Sequence, residues 1–369
     1  MVDLAIRALF SPEPGTTYLD SATYGLPPEP TLRVMREALD AWTAGSANWM
    51  EDWDKVGERG RIAFAALLGI EPSRVALIPA TSAGVGMVAA ELTAADDVVV
   101  PADEFTSVLF PLLVARERGV SVREVDFERL VDEIRPGTTL VACTLVQMQT
   151  GRTAPIRAIV ERAAEVGARV LLDATQGTPF VELGDLVDRI DYTVVSAYKH
   201  LLCPRGVAFM ALRADQVGRL APILANWRAA DRPYARFFGG PLTLAPDAAM
   251  YDVSLAWLPW LGAAESLELL VRWQAGGALE EPVRLARDLA HGLGLEWGGS
   301  ALVCAPIDDG DAARAALAAA GIRASFRGTG VRLSPHVYND DADIERAIEA
   351  LAPVVRAPRL AVTPAKRRS

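Results

Sequence analysis

Between residues 60 and 215, short apolar runs alternate with amphipathic stretches. This alternation predicts an α/β chain built on a mostly parallel, seven-stranded sheet covered on both faces. Two further observations support that class. The stretches between several runs carry apolar residues at three- and four-residue spacing, as helices do. After Pro241 the pattern changes, and an aromatic stretch with Trp257 and Trp260 leads into a second, smaller α/β unit.

The expected strands, in order, are 75–78, 98–100, 122–125, 140–144, 170–173, 192–196 and 207–212. Helices are expected at 84–92, 108–118 and 156–166. A long helix over 261–274 follows, and the second unit reads as strand 302–305, helix 312–320, strands 324–327 and 331–334, and helix 341–352. The resulting division is a large domain over 15–260 and a small one over 261–356, with 1–14 packed nearby. Residues 357–369 read as a tail. In a parallel sheet of this kind ligands sit beyond the carboxyl ends of the strands, so residues just after strands merit attention.

Composition excludes several functions. The 369 residues carry 47 Asp and Glu against 37 Lys and Arg, a formal charge of −10, which argues against a partner of DNA or RNA phosphates. Three distant cysteines, Cys143, Cys203 and Cys304, form no paired motif, and three dispersed histidines form no metal motif. No metal is expected. No apolar run is long enough to span a bilayer and no secretory signal is apparent, so the expectation is a cytoplasmic protein.

Lysine occurs only at 55, 199 and 366; the other 34 cationic residues are arginine. A chain that meets almost every need for positive charge with guanidinium, yet keeps a lysine after an apolar strand, suggests chemistry an arginine cannot do, such as imine formation. Lys199 is that lysine; a chance surface lysine is the alternative. Upstream, Thr81-Ser82-Ala83-Gly84-Val85-Gly86 follows one strand and opens a helix, a plausible phosphate cradle. Gly84, Gly86 and Ala89 also satisfy a dinucleotide fingerprint, and a packing-only turn is the plain alternative. Asp173 ends an apolar strand, where capping or turn formation competes with a ligand role. Together these are the parts that pyridoxal phosphate requires: an imine-forming lysine, a carboxylate for the ring nitrogen and a helix N-terminus for the phosphate.

The ordered set resembles the class V aminotransferase group of fold-type I pyridoxal-phosphate enzymes, which includes cysteine desulfurases, kynureninases and isopenicillin N epimerase-like proteins. The resemblance covers roughly 16–355. It is carried by Tyr18-Leu19-Asp20-Ser21-Ala22 with Tyr24-Gly25-Leu26-Pro27, Thr81-Ser82, Asp173-Ala174-Thr175-Gln176, Tyr198-Lys199 with Pro204-Arg205-Gly206, Gly239-Gly240-Pro241, and the stretch from Arg332 to Asn339. It implies a fold-type I transferase architecture and pyridoxal 5′-phosphate bound as a Schiff base to Lys199. Asp173 would pair with the ring nitrogen and Gln176 would reach the phenolic oxygen. Thr81, Ser82, Ser196 and Tyr198 would hold the phosphate, Phe105 would stack on the ring, and Gln147 would contact cofactor or substrate. Gly240 would reach the phosphate of a neighbouring subunit in a homodimer with shared active sites. Arg332 would clamp the substrate's carboxylate, with Tyr24 a further substrate contact. An arginine paired with the Asp340–Asp343 run is the structural alternative for Arg332.

The sequence also departs from the desulfurases. Their nucleophilic Cys, carried on a mobile loop near the carboxylate-binding arginine, has no counterpart between Phe326 and His336. The expected function is therefore a pyridoxal-phosphate enzyme acting on an amino acid or amino-acid conjugate through a Cα carbanion. Elimination of a β-substituent (a carbon–sulfur lyase without persulfide relay) comes first, with aminotransferase or epimerase as alternatives. A nucleotide-dependent oxidoreductase using NAD(P) at Gly84 and Gly86, or a silent binding protein, are the readings from other classes. Substrate specificity is expected around Tyr24, Trp49, Trp53, Arg236, Tyr251, Trp257 and nearby loops, whose side chains face either the site or the core, with His336 and Tyr338 as further contacts or structural residues.

Overall fold

The structure is a computed structural model that describes residues 4–328 and 330–356; the expected tail over 357–369 lies outside the described residues. A short helix α1 (Leu4–Arg7) and strand β1 (Thr17–Tyr18) lead to α2 (Glu29–Ala44), a π-helical segment (Trp49–Asp54) and α3 (Val56–Leu68). Seven strands then form one sheet: β2 (Val75–Ile78), β3 (Asp97–Pro101), β4 (Ser121–Val125), β5 (Leu140–Thr144), β6 (Arg169–Asp173), β7 (Tyr192–Ser196) and β8 (Ala208–Leu212). Helices α4 (Thr81–Ala90), α5 (Thr106–Arg116) and α6 (Ile156–Val166) connect them. The spatial order is β2-β8-β7-β6-β5-β3-β4, and β8 alone runs against its neighbours.

The central strands are apolar on both faces because both are covered: β5 and β8 are buried along their whole length. The inward direction alternates residue by residue. Val99, Val141, Leu172 and Phe209 belong to one core, with α3, α6 and the long helix α7 (Trp257–Ala275). Val98, Val100, Leu171 and Met210 belong to the other, with α4 and α5. The edge strand β4 reads Ser-Val-Arg-Glu-Val, and its charges blunt an otherwise open edge.

Helix α8 (Glu280–Gly292), β9 (Val303–Pro306), α9 (Gly310–Ala319), β10 (Ile322–Arg323), β11 (Ser325–Arg327), β12 (Gly330–Leu333) and α10 (Asp341–Leu351) follow among the described residues. Strands β11, β12 and β9 form an antiparallel sheet, and β10 pairs with β1. Leu285, Leu289, Val331, Leu333 and Ile344 share a separate core there, joined by Leu19 from the N-terminal segment. Helix α7, by contrast, buries Trp260, Leu267 and Leu270 in the core of the large sheet. We propose the two-domain division on these separate cores, with α7 as the connection. Among the described residues no helix is long and apolar enough to cross a membrane.

Candidate active site

The loop between β7 and β8 carries Lys199. Because β8 returns antiparallel beside β7, both ends of this loop stay at the carboxyl end of the sheet. The turn is tight: Leu202 has a φ of 56°, the left-handed region that branched and bulky residues avoid, and its side chain is fully buried. Gly25 lies against it, its N–H donating to the Tyr198 carbonyl at 3.0 Å. A Cβ at Gly25 would run into the carbonyl oxygen of Lys199 and into Leu202.

Lys199 is 6% exposed, with Nζ 5.2 Å from the ring centre of Phe105 and 5.8 Å from that of Tyr198. Burial brings its ammonium down to about 8; Asp173 opposes this, and Arg332 and Arg327 add to it. A cavity of about 260 Å³ opens beside it, lined by Thr81, Ser82, Phe105, Asp173, Ser196, Tyr198 and Arg205 among others. A smaller space adjoins, lined by Glu104, Phe105, Gln147, Asp173, Gln176 and Lys199. The structure thus brings together nine of the residues expected from the sequence. It keeps two apart: Gly240 lines a different cavity formed by residues 225–243, and Tyr24 is half exposed with its ring 5.5 Å from that of Tyr18.

Asp173 accepts the Thr175 N–H at 2.9 Å, and burial pushes its carboxyl up against the pull of Thr175 and Lys199. The N-terminus of α4 faces the larger cavity and has no side-chain cap, leaving donors for an anion. Gly84, one turn on, is a packing residue. A Cβ there would come within 2.9 Å of Val194 Cγ1 and 3.0 Å of Ile78 Cδ1, so it brings α4 down onto the sheet. A buried lysine with a depressed pKa, a buried carboxylate, a stacking ring and an uncapped helix N-terminus around one cavity fit pyridoxal phosphate.

Arg332 is 1% exposed and does not pair with the Asp340–Asp343 run. Asp340 caps α10 and Asp343 receives Thr17 and Asn339. Instead Nη2 of Arg332 donates to Thr23 Oγ1 at 2.6 Å and lies 3.6 Å from Asp20, and Nε donates to Ser325 Oγ at 3.1 Å. Its Nη1 is buried with no partner. Arg327 also reaches Thr23 Oγ1, at 3.5 Å. Cys304 sits directly across from Arg332 in the β9–β12 pair, and burial pushes its thiol up to about 12. Tyr251 is a core residue whose hydroxyl serves Gly218 and Leu220, and Trp49, Trp53 and Trp257 pack on one another. His336 and Tyr338 are buried.

Sequence reasoning missed Glu104 as a site residue. Its two carboxyl oxygens accept the N–H groups of Phe105 and Thr144, both at 2.7 Å, joining the loop after β3 to the end of β5. The only signal was its place beside Phe105 just past a strand. Arg205, its guanidinium carbon 5.3 Å from the centre of the Tyr198 ring at the larger cavity, stands out in the sequence only as part of a motif.

Fold and site together define an α/β enzyme of the pyridoxal-phosphate type. Comparison with known proteins gives the family: residues 17–234 match Aminotransferase class-V, and the chain belongs to that family, whose cofactor is pyridoxal phosphate. This replaces the oxidoreductase alternative, in keeping with the packing role of Gly84. The chain is 26% identical over 363 residues to the uncharacterized aminotransferase YcbU of Bacillus subtilis, covering 94% of this chain and 96% of that one. It is 27% identical over 240 residues to isopenicillin N epimerase of Amycolatopsis lactamdurans, 60% of each chain. Among solved structures, a cystine C–S lyase, C-DES, superposes with a TM-score of 0.81 at 18% identity, covering 92% of this chain and 98% of that one. The apo cysteine desulfurase of Thermococcus onnurineus gives 0.79 at 19%, covering 96% and 98%.

Proposed function

We propose that this enzyme eliminates a β-substituent, held through sulfur, from an amino acid or amino-acid conjugate. The observation that carries the reading is the state of the cysteines. All three are free; Cys143 and Cys203 are buried, and Cys304 has a thiol held well above neutrality behind Arg332. None is a thiolate poised to accept sulfur, so a lyase that releases its sulfur product directly fits better than a persulfide relay. A relative named as an epimerase and a fold neighbour named as a cystine lyase are compatible with it.

In this reading Lys199, Asp173 and Gln176 would hold the cofactor's ring beside Phe105, and Thr81, Ser82, Ser196 and Tyr198 would hold its phosphate. When bound, the cofactor supplies an electron sink for the pair left at Cα. The free Nη1 of Arg332 binds the substrate's carboxylate. Once the substrate's amine has taken its place on the cofactor, the freed Nζ of Lys199 would take the proton from Cα and return it to the departing sulfur. Asp173 would keep a proton on the ring nitrogen. The assembly we propose is a cytoplasmic homodimer, its free thiols suited to a reducing compartment, with Gly240 completing the neighbour's phosphate site.

A panel of S-substituted cysteines, given with and without an oxo-acid acceptor, tests the reaction. Keto acid, ammonia and thiol without acceptor support elimination. Keto acid only with acceptor assigns aminotransfer instead, and Cα inversion without cleavage assigns epimerisation.

A further inference from the structure

The residue after the lysine, His200, is 1% exposed and sits in a chain of hydrogen bonds whose donors can be assigned one by one. Gln176 faces the carbonyl oxygen of Ala22 at 3.1 Å. A carbonyl only accepts, so the atom of Gln176 there is its nitrogen and the amide flip is fixed. Oε1 of Gln176 then lies 2.9 Å from Nε2 of His200, which must carry the ring proton. On the far side, the Val337 N–H donates to Nδ1 of His336 at 2.9 Å, so His336 also carries its proton on Nε2. It donates that proton to the carbonyl of His200 at 2.9 Å. The two imidazoles lie nearly parallel, 6.2 Å apart, and Phe180 packs edge-on to both.

We propose that His200 is a positioning residue that locks the Gln176 amide in a single orientation where it lines the Lys199 cavity, and that His336 ties this lock to the segment following Arg332. The idea rests on the reading that Gln176 meets the cofactor. Without the His200 donor, Oε1 of Gln176 would be a buried acceptor with no partner, and the amide would be free to turn. The groups facing His200 make the neutral ring the stable one: His336, Lys199 and Arg332 all oppose a further positive charge, and burial opposes it most. Its Nδ1 is buried with no hydrogen-bond partner, the cost of holding this tautomer.

With only three histidines in the chain, nitrogen-15 labelling of histidine in the wild-type protein reads the tautomers directly. Two rings should be neutral, protonated at Nε2, and constant from about pH 6 to 9. A second buried ring protonated at Nδ1, or one that gains a proton in that range, overturns the lock. His200→Phe should weaken cofactor binding roughly tenfold, the loss of one buried hydrogen bond, yet weaken it no further in a Gln176→Ala background. Independent, multiplying losses would make His200 merely structural and overturn the proposal, as would wild-type cofactor affinity in His200→Phe. If the variant does not fold, the tautomers of the wild type still decide. Should borohydride fix no cofactor on Lys199, the reading of the site fails, while the tautomers measured on the apoprotein report on the network separately.

Discussion

At the scale of single residues, the site turns on two cations held out of water. Lys199→Ala should fold and lose covalently held cofactor: borohydride reduction is expected to fix none to the variant, and fixation there would refute the assignment. Arg332 has Thr23, Ser325 and Asp20 on one side and a buried, unused Nη1 on the other. A guanidinium held that way is pre-organised for a carboxylate, which an ammonium does not reproduce. Arg332→Lys should lower kcat/KM by about 10- to 150-fold, from charged hydrogen bonds of roughly 1.5–3 kcal/mol, with an unchanged resting spectrum. If a substrate amide suffers the same loss as the acid, the arginine is structural. These residues were legible because their types are rare or out of place in the sequence. The partners that aim them were not, since Thr23, Ser325 and Asp20 meet Arg332 only after distant segments fold together.

Among elements, the strands were nearly fully legible. Runs such as Leu140–Thr144 and Tyr192–Ser196 are buried almost throughout on both faces, so a short, mostly apolar run rather than an alternating one marks them. Helix α2 was missed because it opens through Pro28 and Pro30 and presents an exposed polar face, and β1 and β10 are two residues each, too short for any period. Glu104 shows what such reading cannot reach, a side chain whose partners are backbone groups on another strand. Burial, with Asp173 and Asp103, pushes its carboxyl from 4.5 up to about 8. Between those values the folded apoprotein keeps a proton that the unfolded chain has released, so this contribution to stability is full below about pH 4.5 and lost as the pH rises through 8. Glu104→Gln should lower stability by about 1–3 kcal/mol at pH 5, through one unpaired buried N–H, and flatten the fall between pH 5 and 8. Denaturant melts across that range check it; an unchanged slope would mean Glu104 is ionised throughout.

For the whole molecule, the segment around Gly240 stands away from the Lys199 cavity of its own chain, with Phe238 92% exposed and Leu242 58% exposed. An aromatic ring so fully in water suits contact with a second subunit. Phe238→Asp should shift the protein toward monomer in sedimentation and weaken cofactor binding with it. A dimer that persists with undiminished affinity would remove this segment from the shared site.

The near-replacement of lysine by arginine has a practical consequence. Pyridoxal phosphate is an aldehyde, and on ordinary proteins it tints scattered surface amines as well as its own pocket. Here the ammonium of Lys55 is held by both oxygens of Glu51, and a lysine at 366 is the only other competing side-chain amine in the sequence. Colour taken up by this protein therefore reports pocket occupancy almost free of background, a gauge of the correctly folded fraction in any preparation.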